Sequence, residues 1–260
     1  MPVDYRVYEP SAALKPYVRH FWVLEGDSCS EELIFPDGCM EMAIHLADPF
    51  ADANGRQSSS LFIGQMTAPT RVAPTGPTLC VGVKFRPGGA RPFVPLPLDE
   101  AADRIVDLTN VASGARALRE QMGEASSDAG RIALFERALT AADPGKRPPG
   151  TMDAAIGHLM AGAVRVDEVA RMAGLSSRQF ERRVREAAGV APKMLARIAR
   201  FQRALARSQG GPRPDWAAIA VDCGYYDQAH LIRDFRQFTG APPTQIGFAS
   251  ALGAGTASDL

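Results

Sequence analysis

Residues 166 to 243 state nearly the same pattern twice, some fifty residues apart, and nothing else in this chain restricts its fold as tightly. The first copy runs Val169-Ala170-Arg171-Met172-Ala173-Gly174-Leu175 and continues through Phe180, Arg182, Val184, Gly189 and Pro192. The second runs Ile219-Ala220-Val221-Asp222-Cys223-Gly224-Tyr225 and continues through Leu231, Arg233, Phe235, Gly240 and Pro243. The offset is 50 as far as the central glycine and 51 beyond it, so the second copy carries one extra residue in its turn. Each copy reads as a short helix, a turn closed by glycine and a second helix, the plan of a helix-turn-helix unit. Ala170 and Ala220 must be small where the two helices of a unit cross. Gly174 and Gly224 stand where the chain leaves a helix, a position that calls for positive φ, which glycine adopts without steric cost. Phe180 with Val184, and Leu231 with Phe235, lie four apart and predict a buried helix face.

The opposite faces carry Arg178, Glu181, Arg182 and Arg185 in the first copy and Gln228, His230, Arg233 and Arg236 in the second. Long hydrogen-bonding side chains of this kind suit base edges and phosphates in a major groove. A single copy reads as well as an ordinary amphipathic helix pair with a solvated face; the matched pair favours a DNA-reading device. Charge is distributed accordingly. The whole chain balances 29 Lys+Arg against 29 Asp+Glu, but residues 1–150 hold 15 against 19 and residues 151–250 hold 14 against 9. Thirteen of those fourteen are arginine, the side chain best shaped for phosphate. A surplus this modest predicts moderate, salt-dependent non-specific affinity for double-stranded DNA.

On these residues the stretch from Val166 to Ile246 resembles the DNA-binding domain of the AraC/XylS family of bacterial transcription regulators. The likeness is strongest over Gly224-Tyr225-Tyr226-Asp227-Gln228-Ala229-His230-Leu231-Ile232-Arg233-Asp234-Phe235-Arg236-Gln237-Phe238-Thr239-Gly240-Ala241-Pro242-Pro243. It implies seven helices with a long central one, and RNA polymerase as a partner. Pro192 to about Ser208 fits that connector, because proline is accepted in a first turn and apolar residues recur at helical spacing. Its length of roughly 24 Å suits a strut holding two reading helices about one DNA turn, roughly 34 Å, apart. The resemblance places Arg178, Glu181 and Arg182 against bases in the first unit, and Gln228, Ala229, His230 and Arg233 in the second. Ala229 offers only a methyl contact, as to thymine; arginine suits guanine, glutamine adenine, and glutamate accepts from cytosine. Glu181 has a second reading as the ion-pair partner of Arg185, and His230 as an ordinary helix-surface histidine.

Residues 1–142 have a different texture. Short β-rich runs at Val18 to Leu24, Met40 to Leu46, Leu61 to Gln65 and Leu79 to Phe85 are punctuated by proline and glycine, the signature of a small sandwich or barrel. Met40, Met42, Ile44 and Leu46 share one face, and Cys39, Glu41, Ala43 and His45 the other. Val81, Val83 and Phe85 likewise oppose Gly82, Lys84 and Arg86. The segments 35–41 and 82–89 resemble an uncharacterised N-terminal domain carried by some regulators of the same family, which implies a cupin-like barrel acting as sensor. A helical appendage follows, with a pair of helical stretches in Asp103 to Met122 and a helix from Asp128 to Ala142. The Ile132, Phe135 and Leu139 stripe of that last helix is either a dimer element or a packing face for the barrel. Residues 143–150, rich in proline and glycine, read as a linker, residues 151–248 as the DNA-binding domain, and 249–260 as a flexible tail.

The expected fold is therefore α+β: an N-terminal β-barrel or sandwich with helical appendage, then an all-α domain of two helix-turn-helix units joined by a long helix. The expected function is a sequence-specific transcription regulator that reads two successive major-groove segments, controlled by a small-molecule effector, with a homodimer as a further expectation. Glu41, His45, Lys84 and Arg86 are the candidate effector-binding residues, with a solvated sheet face as the competing reading. Four histidines without His-x-His spacing argue against a metal, although His20, Cys39, His45 and Cys80 are a conceivable set. No catalytic residue, metal or cofactor is expected. The alternative is an enzyme–regulator fusion whose N-terminal domain modifies a small molecule or accepts an alkyl group through Cys39 or Cys80; an architectural DNA-binding module is a third reading. The four cysteines show no disulfide framework, and no signal segment or bilayer-length apolar run is present, so a soluble cytoplasmic protein is expected.

Overall fold

Alternation in the first hundred residues becomes an antiparallel sheet in which both faces are buried. The computed structural model describes residues 3–27, 30–142, 150–162, 164–209 and 214–246. The expected linker falls almost wholly, and the tail at 249–260 wholly, outside the described residues. The sheet-rich domain comprises β1 (Asp4–Tyr8), β2 (Val18–Gly26), β3 (Glu32–Ile34), β4 (Glu41–His45), β5 (Ala51–Asp52), β6 (Gly55–Arg56), β7 (Ser60–Ile63), β8 (Thr70–Val72), β9 (Thr78–Phe85) and β10 (Ile105–Asp107). Six strands form one sheet in the order β1-β2-β9-β4-β7-β10, while β3-β8 and β5-β6 are separate two-stranded ribbons.

Successive side chains on a strand point to opposite faces, so each strand feeds two cores. Phe21, Val23, Met42, Ile44, Phe62, Val81, Val83 and Phe85 pack on one face with α1 (Ala115–Glu124) and α2 (Asp128–Ala141). Trp22, Leu24, Ala43, Leu61 and Cys80 occupy the other face, beneath Val72 and Ile34 of the β3-β8 ribbon. The solvated-face alternative is thereby corrected: Ala43, His45 and Lys84 are buried and Glu41 is nearly so. Glu41, His45 and Lys84 read as polar in the sequence, but the β3-β8 ribbon covers their face of the sheet and Glu41 pairs with Lys84 there.

Two expectations for the appendage change. Asp103 to Met122 holds one α-helix rather than two, because Ile105 and Val106 pair with Ile63 and Phe62 as an edge strand and only a short 3-10 turn, Leu108–Asn110, follows. Their β-branched side chains suit the pleat better than a helix. The Ile132, Phe135 and Leu139 stripe of α2 lies in the domain core, with Phe135 against Phe21 at 5.9 Å between ring centroids, so it is no free dimer surface.

The all-α domain consists of α3 (Thr151–Ala161), α4 (Val166–Met172), α5 (Ser177–Ala188), α6 (Pro192–Ser208), α7 (Trp216–Asp222) and α8 (Gln228–Thr239), closed by a 3-10 turn at Pro243–Gln245. The resemblance implies seven helices; among the described residues this domain has six α-helices and that 3-10 turn. Starts of α4 and α7 differ by 50 residues, those of α5 and α8 by 51, so the extra residue sits in the second turn as the sequence required. Gly174 and Gly224 have φ of 67° and 79°. Along α6, Leu195 and Ala199 pack into the first unit, and Ile198, Phe201 and Ala204 into the second. One helix thus serves two cores, and its 17 residues span about 25 Å.

The two domains touch directly. The Gln202 amide donates to the Pro36 carbonyl at 2.6 Å in a buried setting, and Phe35 meets Phe201 edge-on. Arg91 donates to the Glu186 carbonyl at 2.9 Å. A Cβ at Gly189 would lie 2.9 Å from the Leu98 carbonyl oxygen, so glycine there permits both the left-handed cap of α5 and the approach of the sheet domain.

Candidate functional site

Helices α5 and α8 are built by the same local chemistry. Ser176 caps α5, accepting from the Gln179 amide, with the Gln179 side chain returning the contact; Asp227 caps α8, accepting from the His230 amide at 2.7 Å. Each cap satisfies amide groups that the first turn leaves without partners. Glycine in the left-handed conformation ends each helix, at Gly189 and Gly240. Phe180 and Val184, and Leu231 and Phe235, are fully buried, which fixes which face remains outward.

On the outward faces, Arg178, Glu181, Arg182, Arg185, Gln228, Ala229, Arg233 and Arg236 are all exposed. Glu181 accepts from Arg185 at 2.9 Å, the ion pair anticipated as its second reading, and Arg182 lies 3.7 Å from Glu186. Among the described residues, Arg178, Arg233 and Arg236 make no ion pair. His230 is half-buried, its ring edge-on to Tyr225 at 5.2 Å, so packing already holds one side of it. Beside these residues Tyr226 stands 92% exposed at the entry to α8, an aromatic ring with nothing covering it.

What sequence reasoning missed is how the units are fastened. Asp234, on the inner face of α8, is 1% exposed and accepts from Arg197 of α6 at 2.6 and 3.1 Å, with Arg200 at 3.8 Å. Arg200 also covers the Tyr225 ring at 4.7 Å and donates to the Gly224 carbonyl. Arg203 donates to the Met160 carbonyl at 3.0 Å, tying α6 to α3 at the first unit. The phase of Asp234 beside Leu231 and Phe235 placed it on the buried side of α8, but the arginine opposite it belongs to another helix. Three of the basic residues that raise the domain's charge, Arg197, Arg200 and Arg203, are therefore engaged inside it.

In the sheet-rich domain, register brings Glu41 and Lys84 directly opposite one another. Lys84 Nζ lies 2.8 Å from Asp37 and 2.9 Å from Glu41, and the other Glu41 oxygen accepts from Trp22 Nε1 at 3.0 Å. Burial opposes the lysine's charge, but the two carboxylates more than offset it and hold its pKa well above the ordinary value. Gly82 makes room for Trp22, since a Cβ there would fall 2.1 Å from the indole. Above this group lies a cavity of about 100 Å³ walled by Tyr5, Trp22, Phe50, Leu61, Ile63 and Ile105, with Ile34, Thr70 and Val72 of the ribbon across it. Glu41, His45 and Lys84 all line it. Arg86 does not: it is exposed and donates to the Lys15 carbonyl at 2.8 Å. Asp37, overlooked in the sequence, sits in a loop rather than in the alternating strands.

His45 is 2% exposed, and burial lowers its pKa to about 4, so its ring is neutral. Its carbonyl accepts from Arg119 of α1 at 2.9 Å. The cysteines of the alkyl-acceptor reading are buried, which pushes Cys39 up to about 12 and Cys80 higher still. A thiol that resists ionisation is a poor nucleophile, and nothing in this geometry favours alkyl transfer. No group of three or more His, Cys, Asp and Glu among the described residues is placed to hold a metal ion, and none of the described helices is long and apolar enough to cross a membrane.

Comparison with known proteins gives two separate matches along the chain. Residues 169–247 match a family described as a helix-turn-helix domain, and residues 6–107 match a domain of unknown function, DUF6597. No curated protein matches. Among solved structures the chain is similar to ToxT from Vibrio cholerae, with 9% identity, a TM-score of 0.48, and coverage of 93% of this chain and 96% of that one. An apo form of a ToxT variant matches at 12% identity and a TM-score of 0.43, covering 86% and 95%. A third ToxT structure, bound to (E)-4-(8-methylnaphthalen-1-yl)but-3-enoic acid, matches at 10% identity and a TM-score of 0.46, covering 93% and 97%.

Proposed function

We propose that this chain, a DNA-binding transcription regulator by its helix-turn-helix domain, reads two successive major-groove segments under the control of a small molecule held in the sheet-rich domain. The observation that carries the reading is the mounting of α5 and α8 on a single helix. Each presents an exposed polar face, and Asp234–Arg197 at one end and Arg203–Met160 at the other fasten their supports to α6. Two reading helices fixed to one strut address one duplex at two places with a set spacing. Arg178 and Arg182 would read the first segment, Gln228, Ala229 and Arg233 the second, with His230 reaching a base only past its contact with Tyr225. Arg185 and Arg236 suit phosphates. Glu181 then serves to orient Arg185.

Control by an effector rests on the path from the cavity to the strut. Asp37 holds Lys84 at the cavity floor, and its neighbour Pro36 accepts from Gln202 of α6. A ligand that moves Lys84 or Glu41 alters a loop already bonded to the helix that spaces the two reading helices. Homodimer formation belongs to the same reading and must use a surface other than the α2 stripe.

Footprinting on selected DNA tests the tandem reading. The expected footprint covers about two helical turns, with Arg178→Ala and Arg233→Ala each relaxing preference at separate positions about 10 base pairs apart. A footprint of half a turn, or relaxation of the same position by both variants, would refute it.

A further inference from the structure

We infer that the cavity between the main sheet and the β3-β8 ribbon takes a small uncharged ligand, an apolar body with one hydroxyl or amide group, and discriminates against carboxylates. The inference rests on reading this cavity as the effector site and adds the chemistry of its occupant.

Two independent features point this way. The first is His45, which lines the cavity and is 2% exposed, yet neither ring nitrogen has a partner in hydrogen-bond geometry; Gln57, beside the ring, donates to Asp52 at 3.2 Å. Buried polar atoms without partners are rare in folded proteins because each forfeits its hydration. A neutral imidazole offers one donor and one acceptor. A hydroxyl or primary amide can serve whichever ring nitrogen faces the cavity, as donor or as acceptor; a carboxylate can only accept, and a hydrocarbon serves neither.

The second feature is the charge at the polar end. Lys84 is the single cation lining the cavity, and it is already engaged by Asp37 at 2.8 Å and Glu41 at 2.9 Å. With two carboxylates already bound to it, Lys84 offers an anionic headgroup no free counterion. Glu41 has its second oxygen committed to Trp22, which leaves little for a cationic headgroup to claim. The aromatic and aliphatic walls offer any charge poor solvation. At about 100 Å³ the space is smaller than the ~150 Å³ cavity that admits benzene in a well-studied protein, so the part of the ligand seated here is a short branched chain or a single small ring.

The chain has two tryptophans, one in the cavity wall and one, Trp216, in the DNA-binding domain. Their indole N–H signals in the full-length protein, labelled with ¹⁵N-tryptophan, therefore provide a probe and an internal control. Titration with isobutyramide, isobutyrate and isobutylamine should move the Trp22 signal saturably for the amide, at least tenfold more weakly for either charged analogue, and leave Trp216 in place. His45→Phe should weaken the amide at least tenfold with Trp216 unchanged, and His45→Gln, which restores a donor and an acceptor, should recover it. Isobutyrate or isobutylamine binding as tightly as the amide would overturn the neutral preference while leaving the cavity a ligand site. No saturable movement of Trp22 with any of the three would overturn both.

Discussion

Replacing Asp234 with alanine should loosen the second reading helix from its strut, and the structure sets the size of the effect. The carboxylate accepts from Arg197 at 2.6 and 3.1 Å with its side chain 2% exposed, and Arg200 stands 3.8 Å away. Removing one partner of a buried ion pair costs about 3–5 kcal/mol, because the other charge is left without compensation. Here the residual charge is partly relieved: Arg197 keeps Gln237 at 2.6 Å and has 31% of its side chain in solvent. A loss of about 2–3 kcal/mol is therefore expected. At roughly 2–4 °C per kcal/mol for a protein of this size, its thermal transition should fall by about 4–12 °C by calorimetry. Paired with Arg197→Met in a double-mutant cycle, the coupling should be about 1–3 kcal/mol. Base selectivity at positions read by α8 should fall more than at those read by α5. A change below about 1 kcal/mol, an additive cycle, or equal loss of selectivity at both segments would refute the reasoning.

Three further outcomes are expected. Arg233→Ala should cost roughly 1–3 kcal/mol of DNA affinity and relax preference at one base position; equal weakening on all sequences in a competition assay would make it a phosphate contact. Gly189→Ala should lower stability more than Gly174→Ala, since both have positive φ but only Gly189 faces the other domain, with the Leu98 carbonyl 2.9 Å from the added carbon; the backbone alone accounts for about 1–2 kcal/mol in each, and equal losses on urea denaturation would refute the contact. Burial holds His45 at about 4 in the folded state against an ordinary value of 6.5, so the unfolded chain binds the extra proton between those values. Its contribution is complete above about pH 6.5 and is lost as pH falls toward 4, by up to about 3 kcal/mol; His45→Phe should flatten that limb of the stability profile, and an unchanged limb would assign it to other groups.

Legibility differed sharply between the two halves, for reasons visible in single residues. In the all-α domain, Gly174 and Gly224 mark turns whose conformation few other residues accept, and the four-residue spacing of Phe180–Val184 and Leu231–Phe235 orients each reading helix without reference to anything distant. The strut from Pro192 to about Ser208 was readable, because proline opens it and the apolar spacing persists. In the sheet-rich domain β2, β4, β7 and β9 showed as β-rich runs, but β1, β3, β5, β6, β8 and β10 did not. Ile105 and Val106 are too few to declare a strand until Phe62 and Ile63 lie beside them. Within the candidate cavity, Glu41, His45 and Lys84 were named from their shared faces. Arg86 follows the same alternation past the end of β9, where the chain turns out into solvent, so its phase carried no information about its place.

The sequence by itself determined a duplicated unit, its outward residues and the helix between the copies, because those follow from spacings of three to seven residues and from backbone conformations that single residues enforce. Tertiary structure alone decided that Lys84 is already spoken for by Asp37 and Glu41, that Asp234 binds α8 to Arg197, and that Pro36 meets Gln202 across the domain boundary. Contacts of this second kind join residues 37 to 166 apart, and only the closing of the chain on itself brings their charges within reach.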